Sequence, residues 1–375
     1  MSDQAPELPL ASPPAALSPE FLPLNMRKHV DPSSPVPLRM MAAKTLVPLA
    51  PSDMVGALYL LTFDPDAGVQ EAAKKSVVSL PDRLLSAALR DEDVPAPVLG
   101  YFLERLRDKD AYAEMLILNA TTPDEAVAAT ASTCVPRVAE IISQNQLRLL
   151  RCDDIVRQLC LNPNASPALL DGVCDFCVRS GLILPDVPQM VESRIRIFGA
   201  NAAPPDSGPT AAQVLAEHEE LAQESAEPLE EQKRLNMAQK VMKMSISEKI
   251  KLATMGNKEA RGILIRDSNK LVAVAVITSP RITDGEILTV ANNRAALDDV
   301  IRVLYKKREY IRHYKVKLAL VKNPKVPLAV AMKFVTTLLE ADVKELARNK
   351  NVSSGIRTFC KKLVDKKSER PKEDH

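Results

Sequence analysis

Apolar residues recur along this chain at helical spacing, in short blocks interrupted by proline, asparagine or acidic pairs. Residues 320–342, LVKNPKVPLAVAMKFVTTLLEAD, show the arrangement. Leu328, Ala331, Val335, Leu338 and Leu339 fall on one face of a helix. A residue before proline is pushed out of the α region, whereas proline itself fits the first helical turn. An asparagine side chain satisfies an orphan N–H at such a start. Asn323-Pro324 therefore predicts a helix start, and Pro327 a restart after a short 3₁₀ piece. Asp342 predicts the cap of a following helix with Val343 and Leu346 inward. Ser353 predicts the last cap, with Ile356, Phe359, Cys360, Leu363 and Val364 inward.

The cassette returns. Leu61-Thr-Phe-Asp64-Pro65, Leu159-Cys-Leu-Asn162-Pro163, Val276-Ile-Thr-Ser279-Pro280 and Leu320-Val-Lys-Asn323-Pro324 each run apolar residue, two spacers, capping residue, proline. Thr122-Pro123 is a weaker copy; Asp93-Val-Pro95 and Asn351-Val-Ser353 are degenerate ones. Pro280 and Pro324 lie 44 residues apart, room for two units of about 22 residues. The pattern reads either as a true repeat or as independent helix starts sharing one capping chemistry.

LVKNPKVPLAVAMKFVTTLLEAD and LCLNPNASPALLDGVCDFCVRSG resemble leucine-rich repeat variant units, kin in style to HEAT and armadillo repeats. The match covers about a third of the chain. The resemblance implies an all-α fold, with right-handed helical-repeat (α-solenoid) arrays that bury a continuous core between stacked units. Some members of that family carry an iron–sulfur cysteine cluster beside the array; no matching N-terminal cluster stands here.

Composition agrees with helix. Of 375 residues, 46% are apolar, only 3% are aromatic, and 29 prolines face 11 glycines. Proline and linker-like stretches divide the chain into a Pro-rich disordered leader at 1–38 with nine prolines, an acidic helical-repeat domain at 39–198, a linker with exposed helices at 199–244, a basic helical-repeat domain at 245–367, and a tail at 368–375. Within the linker, residues 211–226 and a second stretch ending near Met244 read as helices, and Ser245-Ile-Ser-Glu248 as a capping box. The net charge of +2 hides a split: residues 1–230 carry 18 Lys+Arg against 32 Asp+Glu, and residues 231–375 carry 32 against 16. Such asymmetry points to a polyanion partner or to mutual attraction of the halves. MSDQAPELPL lacks the features of a signal peptide, and no window reaches the ~18 apolar residues of a membrane span, so a cytoplasmic location with cysteines as thiols is expected.

Candidate chemistry is sparse. No glycines fall in a phosphate-cradling spacing, the four histidines are scattered, and the pairs Asp153-Asp154 and Asp298-Asp299 suit helix starts. An enzyme is therefore unsupported, and no cofactor is expected. Cys152, Cys160, Cys174 and Cys177 include one CxxC, a partial match to a thiolate metal site and equally a set of small core residues. The richest stretch is Leu304–Lys317, flanked by Arg302. It interleaves Lys306, Lys307, Arg308, Arg312, Lys315 and Lys317 with Tyr305, Tyr310 and Tyr314. Lysine and arginine neutralise phosphates and tyrosine stacks on unpaired bases. Tyr310 and Tyr314 also stand at i,i+4, a packing spacing on one helix. The expected function is a non-enzymatic scaffold for a protein partner. The alternative is a nucleic-acid-binding module using 302–317, aided by the basic tail Lys361, Lys362, Lys366, Lys367 and Arg370.

Overall fold

The structure, a computed structural model, describes residues 17–199, 208–216 and 230–368. Every regular element among them is a helix, so the protein is all-α. Most helices span only two or three turns, such as Pro51–Leu61, Asp82–Leu89 and Asp110–Leu118. Helices of that length are marginal alone, so packing must hold them. The chain divides into two compact units, Met1–Val173 and Cys174–His375.

In the first unit most helices pack on the one two places along, and Asp124–Ala131 packs on Asp153–Cys160, three places along. Pro51–Leu61 touches Asp82–Leu89, which touches Asp110–Leu118, which touches Pro136–Gln144. A second succession runs Val36–Ala43, Ala67–Ser79, Ala96–Leu106, Asp124–Ala131, Asp153–Cys160. Leu58, Leu61, Leu89, Leu99, Phe102, Leu116 and Leu159 are fully buried between the two rows. In the second unit Ile246–Met255, Lys270–Ile277 and Asp298–Lys306 form one succession, and Asp284–Asn292 packs on Tyr314–Lys322. A single core runs from Ala273 through Leu304 and Leu320 to Leu346 and Cys360.

Helix ends leave carbonyls without intrahelical partners. A buried asparagine at the turn answers this need. The Asn323 amide donates to Ala291 O (2.9 Å) and Asn293 O (3.2 Å), while its Oδ1 accepts from the N–H of Lys325. Asn162 donates to Ala131 O and Cys134 O, both at 2.9 Å, and accepts from Asn164. Asn119 donates to Leu89 O and Asp91 O and accepts from Thr121. Each amide closes its own turn and ties it to a turn 28–32 residues back. Asp64 has no N–H to donate. Its carboxylate accepts from Asp66 N–H and from Arg39, whose Nε donates to Ser34 O in the preceding turn. Ser279 does the same with one hydroxyl, donating to Thr254 O.

Asn323 therefore does not cap the helix it precedes. It ends Tyr314–Lys322, a turn follows at Pro324, and the next helix starts at Leu328. Cap chemistry looks alike in sequence whether it serves its own helix or a neighbour. The helix starts after Pro327, as expected, and Ala331 and Val335 are buried, but Leu328 (46%), its first residue, and Leu339 (64%), beyond its last residue Val335, face solvent. Asp342 caps nothing; it accepts from the Tyr314 hydroxyl, and Leu339 stands at the N-cap of Glu340–Arg348. The last helix does begin at Ser353, whose Oγ accepts from Ile356 N–H. The interval from Pro280 to Pro324 holds four helices, Asp284–Asn292, Asp298–Lys306, Arg308–Arg312 and Tyr314–Lys322.

The predicted segment boundaries shift for physical reasons. Residues 17–38 are structured: 3₁₀ turns at Pro19–Phe21 and Arg27–His29 lead into Val36–Ala43, and Leu22 and His29 are buried. The Phe21 ring lies so close over Gly56 that a Cβ there would sit 2.3 Å from it. The boundary between units falls inside the helix Pro167–Arg179, ahead of the expected linker. Residues after it join the second unit: Ser180 O accepts from Ser247 N–H, and Gly181 (φ +82°) sits against Ser245. The expected exposed linker is packed, with Ala211, Val214, Met237, Val241 and Met244 buried. Ser245 accepts from Glu248 N–H as a capping box requires, but the Glu248 carboxylate turns to Ala211 N–H instead of closing the box. Residues 1–16 of the predicted leader, 200–207 and 217–229 of the predicted linker and 369–375 of the tail lie outside the described residues.

Three further ion pairs tie helices together. Arg148 donates to Asn119 O, Thr122 O and Asp124, and Arg151 also holds Asp124. Arg261 grips Glu286 with two nitrogens (2.9 and 3.0 Å), and Glu286 closes a true capping box with Thr283. Burial raises the Glu286 pKa, but the Arg261 and Thr283 hydrogen bonds outweigh it and hold the carboxyl below its ordinary 4.5.

Replacing Asn323 with leucine strands two carbonyls and one N–H, and is expected to cost about 2–4 kcal/mol in urea unfolding at an unchanged m-value. Exposed Asn292 serves as the control; equal losses from Asn292→Ala would remove the amide bridge as the cause. A carboxyl whose folded pKa lies below its unfolded value contributes stability that is complete above the unfolded pKa and lost as pH falls through the folded one. Acid unfolding below pH 4.5 is therefore expected to be shallower in Glu286→Gln than in the parent protein; identical acid limbs would sink that linkage.

Candidate functional site

The basic stretch 302–317 is not one helix. It is cut into Asp298–Lys306, Arg308–Arg312 and Tyr314–Lys322, with Lys307 and His313 in extended conformation at the joints. Tyr310 and Tyr314 thus lie on different helices, and their four-residue spacing is not a helical pair. The joint at His313 separates them, and His313 itself approaches Asp284 at 3.3 Å.

The tyrosines are built into the fold. Tyr310 is buried, and its hydroxyl donates to Ile277 O at 2.7 Å. Burial pushes its ionisation far above the ordinary value. The Lys307 ammonium lies 5.1 Å from the Tyr310 ring centroid, a cation–π contact that uses this cation internally. The Tyr314 hydroxyl donates to Asp342 and accepts from Leu339 N–H at 3.1 Å, tying two helices of the core. Tyr305 is half-buried and packs against the same core. The rings of Tyr310 and Tyr305 are therefore directed into packing rather than presented as an open stacking platform.

The cations divide differently. Arg302, Lys306, Arg308, Arg312 and Lys315 are exposed, whereas Lys307 and Lys317 are half-buried. Arg302 pairs with Asp299 one turn back at 3.4 Å. Lys333, Lys344, Arg348, Lys361, Lys362 and Lys366 are also exposed, on later helices of the same unit. This surface attracts negative charge without a fixed geometry for any one ligand. Arg370 of the predicted basic tail lies outside the described residues, and the Lys367 side chain is likewise not described.

Other predicted chemistry resolves into structure. Asp153-Asp154 and Asp298-Asp299 occupy first helical turns, where the helix dipole favours them. Cys174 and Cys177 are buried in mid-helix, and among the described residues no three of His, Cys, Asp and Glu converge as a metal site. Cys134 receives a hydrogen bond from Asn162 at 3.2 Å, and burial pushes its thiol up to about 11. No described helix is long and apolar enough to cross a membrane.

A second surface escaped the reading of the sequence. Between Ala67–Ser79 and Ala96–Leu106 lies an open groove of about 520 Å³, walled by Tyr101, Val78, Lys74, Lys75 and Arg105. Tyr101 belongs to an edge-to-face cluster with Tyr59, Phe63 and Phe102, ring centroids 5.2–6.2 Å apart, and of these four it is the one that lines the groove. In a chain so poor in aromatics, the spacing of Tyr59 and Phe63 one helical turn apart was the available signal. Tyr101 is distant in sequence and gave none.

No protein-family model, no curated protein and no solved structure matches this chain.

Tyr310→Phe is expected to destabilise the protein by about 1–2 kcal/mol, because Ile277 O loses its donor. It should leave binding to a labelled mixed-sequence oligonucleotide unchanged. Loss of oligonucleotide binding without loss of stability would mean that the ring reaches the ligand.

Proposed function

We propose that the protein is a non-enzymatic interaction scaffold, an α-solenoid in two helical-repeat segments that presents extended helical surfaces to a protein partner. One observation carries this reading. Buried polar side chains tie turns about 30 residues apart, while charged residues stay outside along the helices, beside open clefts. Stacked helical units of this kind commonly act through such surfaces, and that tendency of the architecture is the warrant for the function. The packing of most helices of the first unit on the one two places along supports kinship with leucine-rich repeat variant and HEAT-like repeats. The unequal charge of the two ends of the chain would set partner choice and association rate.

A second reading, nucleic-acid binding, is favoured by the exposure of Arg302, Lys306, Arg308, Arg312 and Lys315. With two tyrosine rings turned inward, such binding would rest on phosphate contacts, indifferent to sequence and steeply dependent on salt.

Affinity purification of the tagged full chain, followed by light scattering, separates the readings. A co-purifying protein in fixed stoichiometry is the expected result. Retention of nucleic acid alone, released by salt and by the quadruple reversal of Arg302, Lys306, Arg308 and Arg312 to glutamate, would replace the scaffold reading with the second one. Substrate turnover by the purified chain would overturn both as statements of its main activity.

A further inference from the structure

We propose that the groove between Ala67–Ser79 and Ala96–Leu106 is a docking site for an extended acidic peptide segment of another protein, with proline or aliphatic side chains set on Tyr101 and Val78. The inference rests on the scaffold reading and names its surface and the chemistry of its partner.

The apolar floor is preformed. Tyr101 is braced edge-to-face by Tyr59, Phe63 and Phe102, so its ring is held in place without a ligand. Phe63, in the turn after Pro51–Leu61, is 52% exposed beside the buried Asp64. Val78 is 56% exposed on a helix whose other outward positions are mainly polar. A rigid aromatic surface beside an aliphatic one suits proline and leucine side chains of an extended chain, which lose little conformational entropy on binding.

Charge selects the partner. Three cations, Lys74, Lys75 and Arg105, rim the groove against one carboxylate, Glu71. Glu71 is already paired with Lys75 at 2.8 Å. Lys74 reaches Gln70, and the Arg105 guanidinium lies 5.4 Å from the Tyr101 ring centroid, so neither meets a carboxylate among the described residues. The concentration is local: residues 17–173 carry 15 Lys+Arg against 20 Asp+Glu. A short acidic segment gains from the rim, whereas a long polyanion would run onto the acidic remainder of the unit. A second copy docking face to face by twofold symmetry would set Lys74 and Arg105 against like charges.

The test is fluorescence anisotropy of a labelled peptide of alternating Glu, Pro and Leu, titrated with the full chain at low and moderate salt. The expected result is saturable binding that weakens about tenfold in Lys74→Glu/Arg105→Glu and in Val78→Glu, and is absent when lysine replaces glutamate in the peptide. All three positions are exposed, so folding is preserved and is checked by circular dichroism. Binding that is absent, or indifferent to these variants, overturns the proposal. Residues 1–16, outside the described residues, carry Asp3, Glu7 and four prolines. If Asp3→Lys/Glu7→Lys in the full chain raises the affinity for the peptide, the chain's own first residues occupy the groove and the assignment to another protein falls. A partner protein retained in fixed stoichiometry by Lys74→Glu/Arg105→Glu would leave the scaffold reading standing while removing the groove as its site.

Discussion

The fold depends on a side-chain amide that bonds in two directions. A chain of many short helices has many frayed ends, and each end buries carbonyls that need donors. Asn119, Asn162 and Asn323 each accept locally, which shapes their own turn, and donate to two carbonyls of a turn some 30 residues earlier. One residue thereby sets both where a helix ends and how far it stands from the next. Leucine faces supply most of the attraction between helices but are not directional. The amide supplies register.

Where the residue is not asparagine, the same task is met with other chemistry. Asp64 lacks the donor, and Arg39 stands in by bonding both the carboxylate and the earlier turn. Arg148 extends over Asn119 O and Thr122 O while its charge is met by Asp124. Burial lowers the Arg148 pKa and Asp124 opposes that shift, the balance that lets a guanidinium sit at 3% exposure. Buried pairs of this kind are weak sources of net stability, yet removing one partner leaves an uncompensated charge. Their value here is geometric: they fix which turn faces which.

The same economy explains the surface. Because polar groups at the turns are turned inward, cations along the helices of the second unit remain outside, and the groove of the first unit keeps an exposed aromatic edge. Tyr310 and Tyr314 are used differently from the neighbouring arginines although they share one stretch of sequence. A tyrosine buries its ring and needs one partner for its hydroxyl, which Ile277 O and Asp342 provide. An arginine or lysine buries its head only against a partner, so most here stay in water.

The sequence by itself determined the helical class, the placement of helix ends near Asn-Pro and Asp-Pro pairs, the core positions of the last helices, and the charge split. These follow from local rules: helical periodicity, the exclusion of proline from helix interiors, and capping chemistry. The tertiary structure decided what those end residues do. Asn323 and Asn119 reach carbonyls distant in the chain, and no local spacing encodes that reach. Asn119, which lacks the following proline, belongs to the same set and went unrecognised for that reason. The aromatic groove likewise joins Tyr59 and Phe63 to Tyr101 across separate helices. Local propensity writes the elements; the pairing of buried donors with distant acceptors arranges them.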